Sequence, residues 1–362
     1  MIVEEPMKNI CKYGVIALSI MISVMTTGCI GKSKTLDESN NTKQAYNKKM
    51  SRDDIKDGQI VSDATLLTVG DKDVNFSETM VYVMLYKSNY EGLLTDEIWQ
   101  YKVEKDRSFE QVSKECIINQ IVTSKVIEFG ADKLGVSVEP DEKIEIEDKA
   151  IECYKNIFKK LNGKYGITQS VVKKVLYDNY LAEKVYEVAT NDVKVEVKKS
   201  ESKVPTVKQI EVLFNESNNK FQDAENADNA KNDSKKKAYE KIKNAKDRLD
   251  VDGENFSSIA EEVSDSDIID LDVTCNTNEK AYRKAALELK EGETSDIIET
   301  SQGYYILYCV VENNEELEKE NEENIIKSRQ DDMFAAKYDD WLQEYDIYVV
   351  SDLWNRLNIG EI

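Results

Sequence analysis

An α+β chain is expected, with a helical region followed by a segment in which helix and strand alternate. Three stretches lead to this reading. Residues 77–190 carry apolar residues at helical spacing in several separate runs, and residues 281–310 join a short amphipathic helix to an apolar strand. Residues 326–345 then return to a helical stripe rich in aromatic residues.

Taken in order, residues 64–76 read as two short strands about a turn at Gly70-Asp71, and a helix starts near Ser77 or Glu78 and leads into Val81, Met84 and Leu85. A longer helix covers 109–129, with Val112, Cys116, Ile117, Ile121, Val122 and Val126 on one stripe; Gly130 and Gly135 are expected to end it. Pro140 suits a first helical turn. Helices at 144–161 and 170–190 are separated by turns at Asn162-Gly163 and Tyr165-Gly166. After a charged link at 193–205, VKQIEVLF at 207–214 reads as a strand. Residues 215–233 are polar and are expected to be an unstructured loop. Ser234 caps a helix reaching about Leu249, on which Lys235-Lys236-Lys237 form a solvated face, and Phe256, Ile259, Ala260 and Val263 mark another helix. Tyr282, Ala285, Ala286 and Leu289 define a short helix that Gly292 stops. Residues 304–310 have apolar side chains on both faces, as a central strand covered on both sides does. Residues 315–323 are acidic and polar; beyond them Ile326, Phe334, Tyr338, Trp341 and Tyr345 form a helical stripe, and 347–350 a strand. A helix so aromatic needs a surface to bury against. Trp354 reads as a packing residue.

Composition excludes several kinds of function. The formal charge of −22 argues against nucleic acid as a partner, because phosphate binding requires basic surface that releases counterions. The chain has no histidine, which rules out Ser-His-Asp and Cys-His catalysis and the common His-ligated zinc sites. Cys116, Cys153, Cys275 and Cys309 are widely spaced with no C-x-x-C, so no metal site and no cofactor is expected. Cys309 and Cys116 lie among apolar residues and read as buried thiols.

The N-terminal stretch carries an address. Lys8 and Lys12 precede an uncharged apolar run at 13–25, which meets Thr26-Thr27-Gly28-Cys29. A basic n-region, a short apolar stretch and small residues before a cut site form a secretory signal. With Cys29 directly after Gly28, it looks like a bacterial lipoprotein signal, in which Cys29 is lipidated and holds the protein in the membrane. The expected division is a signal peptide at 1–28, a flexible tether at 29–60, a helical region at 61–202, a second domain at 203–314 and a C-terminal helix and strand at 315–362.

The order helix, Gly292-Glu293, Ser295, Thr300, Gly303-Tyr304-Tyr305-Ile306 resembles the end of a parvulin-type (PpiC) peptidyl-prolyl isomerase domain. The family pattern runs Phe-x-x-Ala-Ala-Phe, Gly-Glu, Ser, Thr, Gly-Tyr-His-Ile-Ile. Here Tyr282 and Leu287 stand for the phenylalanines and Tyr305 for the histidine. The strand and turn at 64–76 with the helical array after it resemble, more diffusely, the N-terminal chaperone region of SurA and of PrsA-type foldase lipoproteins. The resemblance implies a small antiparallel sheet flanked by helices, inserted into a helical chaperone module onto which residues 315–362 pack back.

It also implies a site. The family's first histidine falls on Glu211 and the second on Tyr305, while Ser266 stands where an Asp or Cys would be. These three positions, Glu211, Ser266 and Tyr305, align with catalytic residues whose identities have changed. Leu271, Tyr282, Leu287 and Gln302 align with substrate-binding positions. Two coincident substitutions on neighbouring strands suggest a phenol-to-carboxylate hydrogen bond in place of the histidine pair. The expected activity is an extracytoplasmic foldase, anchored through Cys29, that binds unfolded or newly exported polypeptides with a weak or inactive parvulin-like domain. An active isomerase with an altered site and a non-catalytic lipoprotein scaffold are the alternatives.

Overall fold

The computed structural model describes residues 45–362 except 92–94, 105–106, 162, 192–194, 215–223 and 252; the side chains of 91, 104 and 224–231 also fall outside the description. The apolar signal and Cys29 therefore lie outside the described residues. The chain forms two compact units, one running up to Lys194 and resumed by Asp331–Ile362, the other Val195–Gln330.

The first unit opens with β1 (Tyr46–Asn47), a 3-10 turn at Arg52–Asp54, and a small hairpin of β2 (Ile55–Lys56) and β3 (Gln59–Ile60). Here the expectation of a flexible tether to residue 60 needs correcting. The Lys48 amide donates to the Val349 carbonyl at 2.9 Å, and Met50, Ile55 and Ile60 pack against the core, so this polar stretch is tied down by its few apolar residues. Next come β4 (Thr65–Val69), β5 (Lys72–Asn75) and α1 (Phe76–Glu91). The Asn75 side chain starts α1 by accepting from the Glu78 amide at 2.9 Å.

The strands β6 (Lys102–Glu104) and β7 (Arg107–Ser108) lead into α2 (Phe109–Leu134), which Ser108 and Gln111 open with a reciprocal capping box. The helix runs on through Gly130, contrary to the expected stop. A Cβ there would lie 2.4–2.8 Å from the Trp341 ring, so this glycine makes room for an indole. Gly135, at φ 64°, is the left-handed cap, its amide donating to the Ala131 and Asp132 carbonyls. Two further helices, α3 (Pro140–Cys153) and α4 (Gln169–Asn191), complete this half. Between α1, α2 and α4 lies a buried ionic cluster. Lys125 Nζ sits 2.8 Å from Glu78 Oε1 and 2.5 Å from Asp178 Oδ2, and Lys125 and Glu78 are each only 1% exposed.

The second unit holds α5 (Lys199–Ser202), β8 (Thr206–Leu213), α6 (Ala224–Asp250), α7 (Phe256–Val263), β9 (Leu271–Asp272), α8 (Lys280–Glu288), β10 (Ile298–Glu299), β11 (Gly303–Val311) and the first part of α9 (Glu315–Glu344). Its sheet has the order β10-β11-β8-β9 with every pairing antiparallel, which makes β11 a central strand. Ile210, Val212, Tyr304 and Ile306 face α6 and α7, whereas Val207, Tyr305, Leu307 and Cys309 pack with Tyr282, Ala286 and Leu289 at α8. The period-2 alternation thus loads both faces of β11.

Three expectations change here. The polar stretch to 233 is not all loop, since α6 already begins at Ala224; residues 215–223 lie outside the described residues. Helix α8 ends at Glu288 with Leu289 as its cap, and Gly292 (φ 84°) makes the following turn, where its amide meets the Cys309 carbonyl at 2.9 Å. The acidic 315–323 stretch is the start of α9, with Glu315, Glu316 and Glu318 at the N-terminal end whose dipole favours them. The unit boundaries, 195 and 331, also differ from the expected 203 and 315. Asn321 donates to the Ser202 carbonyl at 3.0 Å and Arg329 to Glu201 at 2.7 Å, binding the early turns of α9 to the 195–203 link.

The remainder of α9 belongs to the first unit, as do β12 (Ile347–Val349) and α10 (Ser351–Asn355). The four-stranded sheet there has the order β1-β12-β4-β5. Phe334, Trp341, Leu353 and Trp354 are buried in the same core as α1, α2 and α4. Tyr345 stacks on Phe129 with ring centroids 3.9 Å apart and planes inclined by 10°. No described helix is long and apolar enough to cross a membrane.

Candidate functional site

The register of β8 against β11 sets the site. Tyr305 pairs with Glu211 and Leu307 with Gln209, which places all four side chains on the α8 side of the sheet. The Tyr305 hydroxyl donates to Glu211 Oε1 at 2.6 Å, the contact expected from the two coincident substitutions. One step along β8, Gln209 Oε1 accepts from the Tyr282 hydroxyl at 2.8 Å. The Tyr282 and Tyr305 rings meet edge to face, centroids 5.5 Å apart at 85°. Two tyrosines from different elements are therefore each anchored by a β8 side chain and braced on one another.

The electrostatics follow from this packing. Burial raises the Tyr305 phenol well above its usual range, and the hydrogen bond to Glu211 raises it further. Burial also raises Tyr282, with the Glu211 charge adding to the effect. Both phenols therefore stay protonated at neutral pH and act as donors. Glu211 is half-buried, and its Oε2 has no partner among the described residues, nor does any lysine or arginine among them form an ion pair with this carboxylate.

The segment after α7 closes one side. The Ser264 hydroxyl accepts from the Glu211 amide at 3.1 Å, the Asp265 amide donates to the Glu211 carbonyl at 2.8 Å, and Asp265 Oδ2 accepts from the Leu213 amide at 2.9 Å. Ser266 touches the site at its edge, with its Oγ 3.5 Å from Gln209 Nε2 and 3.4 Å from the Ser264 hydroxyl. On the other side, the Ser295 hydroxyl accepts from the Leu307 amide at 2.9 Å, and Thr300 Oγ1 accepts from the Gly303 amide at 3.2 Å. Gly303 is required by crowding, since a Cβ there would be 2.4 Å from the Val212 carbonyl oxygen. The Ser, Thr and Gly of the sequence motif are thus the frame that seats β11.

Of the positions singled out in the sequence, Glu211, Tyr305 and Tyr282 come together, with Leu271 half-buried in the same apolar cluster and Ser266 at its edge. Leu287 does not join them, because α8 turns Tyr282, Ala286 and Leu289 inward and leaves Leu287 half-buried outside that cluster. Gln302 is exposed in the β10–β11 turn, where its carbonyl accepts from the Phe214 amide at 2.8 Å. Gln209 was missed. Its signal was the strand alternation itself, which puts residue 209 on the same face as 211. Among the described residues no group of Cys, Asp and Glu is arranged to hold a metal ion, and Cys116, Cys153, Cys275 and Cys309 are in no disulfide. The arrangement brings together two buried tyrosine rings, two phenols engaged as donors and one carboxylate oxygen without a partner among the described residues.

Comparison with known proteins agrees with the resemblance. The family described as Rotamase: PPIC-type PPIASE domain matches residues 220–310, a span that begins beyond β8 and so leaves out Glu211. The chain is similar to the foldase protein PrsA of Clostridium botulinum (strain Langeland), with 27% identity over 221 residues, 57% of this chain and 62% of that protein. The match therefore spans less than two thirds of that relative. PrsA of Clostridium kluyveri is 25% identical over 325 residues, covering 84% of this chain and 85% of its own. Among solved structures, the peptidylprolyl isomerase PrsA from Bacillus anthracis covers 63% of this chain and 96% of its own at 18% identity, with a TM-score of 0.38, a likeness too loose to bear on the site. In sequence the chain is thus similar to PrsA foldases, and within it residues 220–310 match the PPIC-type family.

Proposed function

We propose that this chain is a foldase of the PrsA type, held at the outer face of the bacterial plasma membrane by a lipid on Cys29, that binds unfolded or newly exported polypeptides. The observation that carries the reading is the similarity to PrsA foldases, which extends far outside the isomerase-like segment and over 84% of the chain in one relative. The helical unit supplies client binding, and the Val195–Gln330 unit adds a site for X–Pro segments. No cofactor or energy source enters this scheme.

The same reading makes the isomerase step weak. Rotating an X–Pro bond means crossing a barrier of about 20 kcal/mol without making or breaking a covalent bond, so a catalyst must hold the twisted amide better than the planar one. Glu211 and Tyr305 spend their complementary groups on each other at 2.6 Å. The Tyr305 proton is then directed at Glu211 rather than at a substrate carbonyl or nitrogen. What is left for a proline ring is a seat confined to the small exposed part of the Tyr282, Tyr305 and Leu271 cluster, whose two rings are 8% and 7% exposed. Such a seat binds ground and transition states alike, which improves capture without much acceleration.

The test is suppression of aggregation. The mature chain, at stoichiometric amounts, is expected to keep a chemically denatured protein soluble on dilution. An unchanged aggregation curve would remove the foldase reading and favour a scaffold. Radiolabelled fatty-acid incorporation, present in the wild type and lost in Cys29→Ser, tests the anchor.

A further inference from the structure

The replacement of a histidine pair by Glu211 and Tyr305 does more than weaken chemistry, because it changes the charge that a bound peptide meets. Among the described residues Glu211 has no cationic partner, its Oε1 is taken by the Tyr305 phenol, and its Oε2 is unused. Neither phenol neutralises it, since both are kept protonated by burial. The nearby Asp265 differs, being already paired with Lys241 at 2.8 Å. The site therefore presents one half-buried carboxylate without a cationic partner among the described residues, beside the packed Tyr282 and Tyr305 rings.

From this geometry we infer that Glu211 is a specificity residue that selects X–Pro segments carrying a lysine or arginine next to the proline and rejects acidic ones. The inference rests on the peptide-binding reading above. The proline ring takes the seat made by Tyr282, Tyr305 and Leu271, while the neighbouring basic side chain extends over the sheet to Glu211 Oε2. Desolvation beside aromatic rings strengthens that charge-assisted contact, and an aspartate or glutamate in the same place meets like charge. The Tyr305 contact engages Oε1 and leaves Oε2 of the half-buried carboxylate unused.

The experiment uses the mature chain and blocked tetrapeptides of the form Ala-X-Pro-Phe and Ala-Pro-X-Phe, with X as Lys, Leu or Glu, titrated by heteronuclear NMR. The lysine peptides are expected to bind about five- to tenfold tighter than the glutamate peptides, with the difference shrinking as salt is raised. In Glu211→Gln, which keeps the side-chain size and an acceptor for Tyr305, the spread among the peptides should fall to about twofold. Equal affinities in the wild type, or a preference that survives unchanged in Glu211→Gln, would overturn the inference while leaving peptide binding intact. Absence of binding for every peptide would overturn the peptide-binding reading and the inference with it. Tyr282→Ala is the control for the seat: it should weaken all peptides alike and preserve their order.

Discussion

Tyr305 and Glu211 occupy paired positions on adjacent strands, and the consequence can be read in a titration. The phenol is raised by burial and by its carboxylate partner, so Glu211→Gln should bring it back toward the ordinary tyrosine range. Carbon-13 labelled tyrosine followed by NMR would show one ring signal titrating at lower pH in the variant, and an unchanged profile would mean that burial alone sets the shift. Lys125 offers a second test. It is surrounded by Glu78 and Asp178 at 2.8 and 2.5 Å, and although burial works against its charge, Tyr82 and these carboxylates outweigh that and raise its pKa. Lys125→Met leaves the buried Asp178 unpaired and Glu78 with Lys174 alone, and should destabilise the first unit by about 3–5 kcal/mol, measured by urea unfolding.

The elements tell which parts of the sequence carry structural information. Ser108 with Gln111 and the proline at 140 mark helix starts with their own chemistry, and the alternation in 304–310 marks a strand loaded on both faces. Other features depended on residues far away in the chain. Gly130 looked like a helix stop, yet its role is set by Trp341, more than two hundred residues later. Gly130→Ala should therefore lower stability through overpacking, by about 1–3 kcal/mol, despite alanine's better helix propensity. A thermal melt that rises instead would contradict the close packing of α2 and Trp341. The early turns of α6 and α9 lack an apolar stripe, so periodicity could not reveal them; Asn321 and Arg329 hold α9 through polar contacts to the 195–203 link. The site was legible where single residues replaced a motif, at Glu211, Tyr305 and Tyr282. It was not legible at Gln209, whose importance comes from the tyrosine packed over it.

At the scale of the molecule, tyrosines govern the alkaline limit. Burial pushes Tyr338 up to about 12, and it raises Tyr82, Tyr282 and Tyr305 as well. An unfolded phenol titrates near about 10, so between that pH and about 12 the folded state retains a proton that the unfolded state has lost. Stability is thus fully present below about pH 10 and falls as the pH rises through that window. Thermal melts followed by circular dichroism should be flat from these groups up to about pH 9 and decline steeply beyond it. The two units divide the labour in the proposed foldase, with client binding in one and an X–Pro site in the other whose polar groups are turned toward each other.

That last point is the most exposed to refutation. Exchange spectroscopy on blocked X–Pro tetrapeptides with the mature chain measures binding and cis/trans interconversion in one sample. The account predicts peptide signals that shift on addition of protein while interconversion quickens by less than about tenfold. Acceleration by several orders of magnitude, abolished in Tyr282→Ala, would contradict it and show that Tyr305 and Glu211 still form a working isomerase.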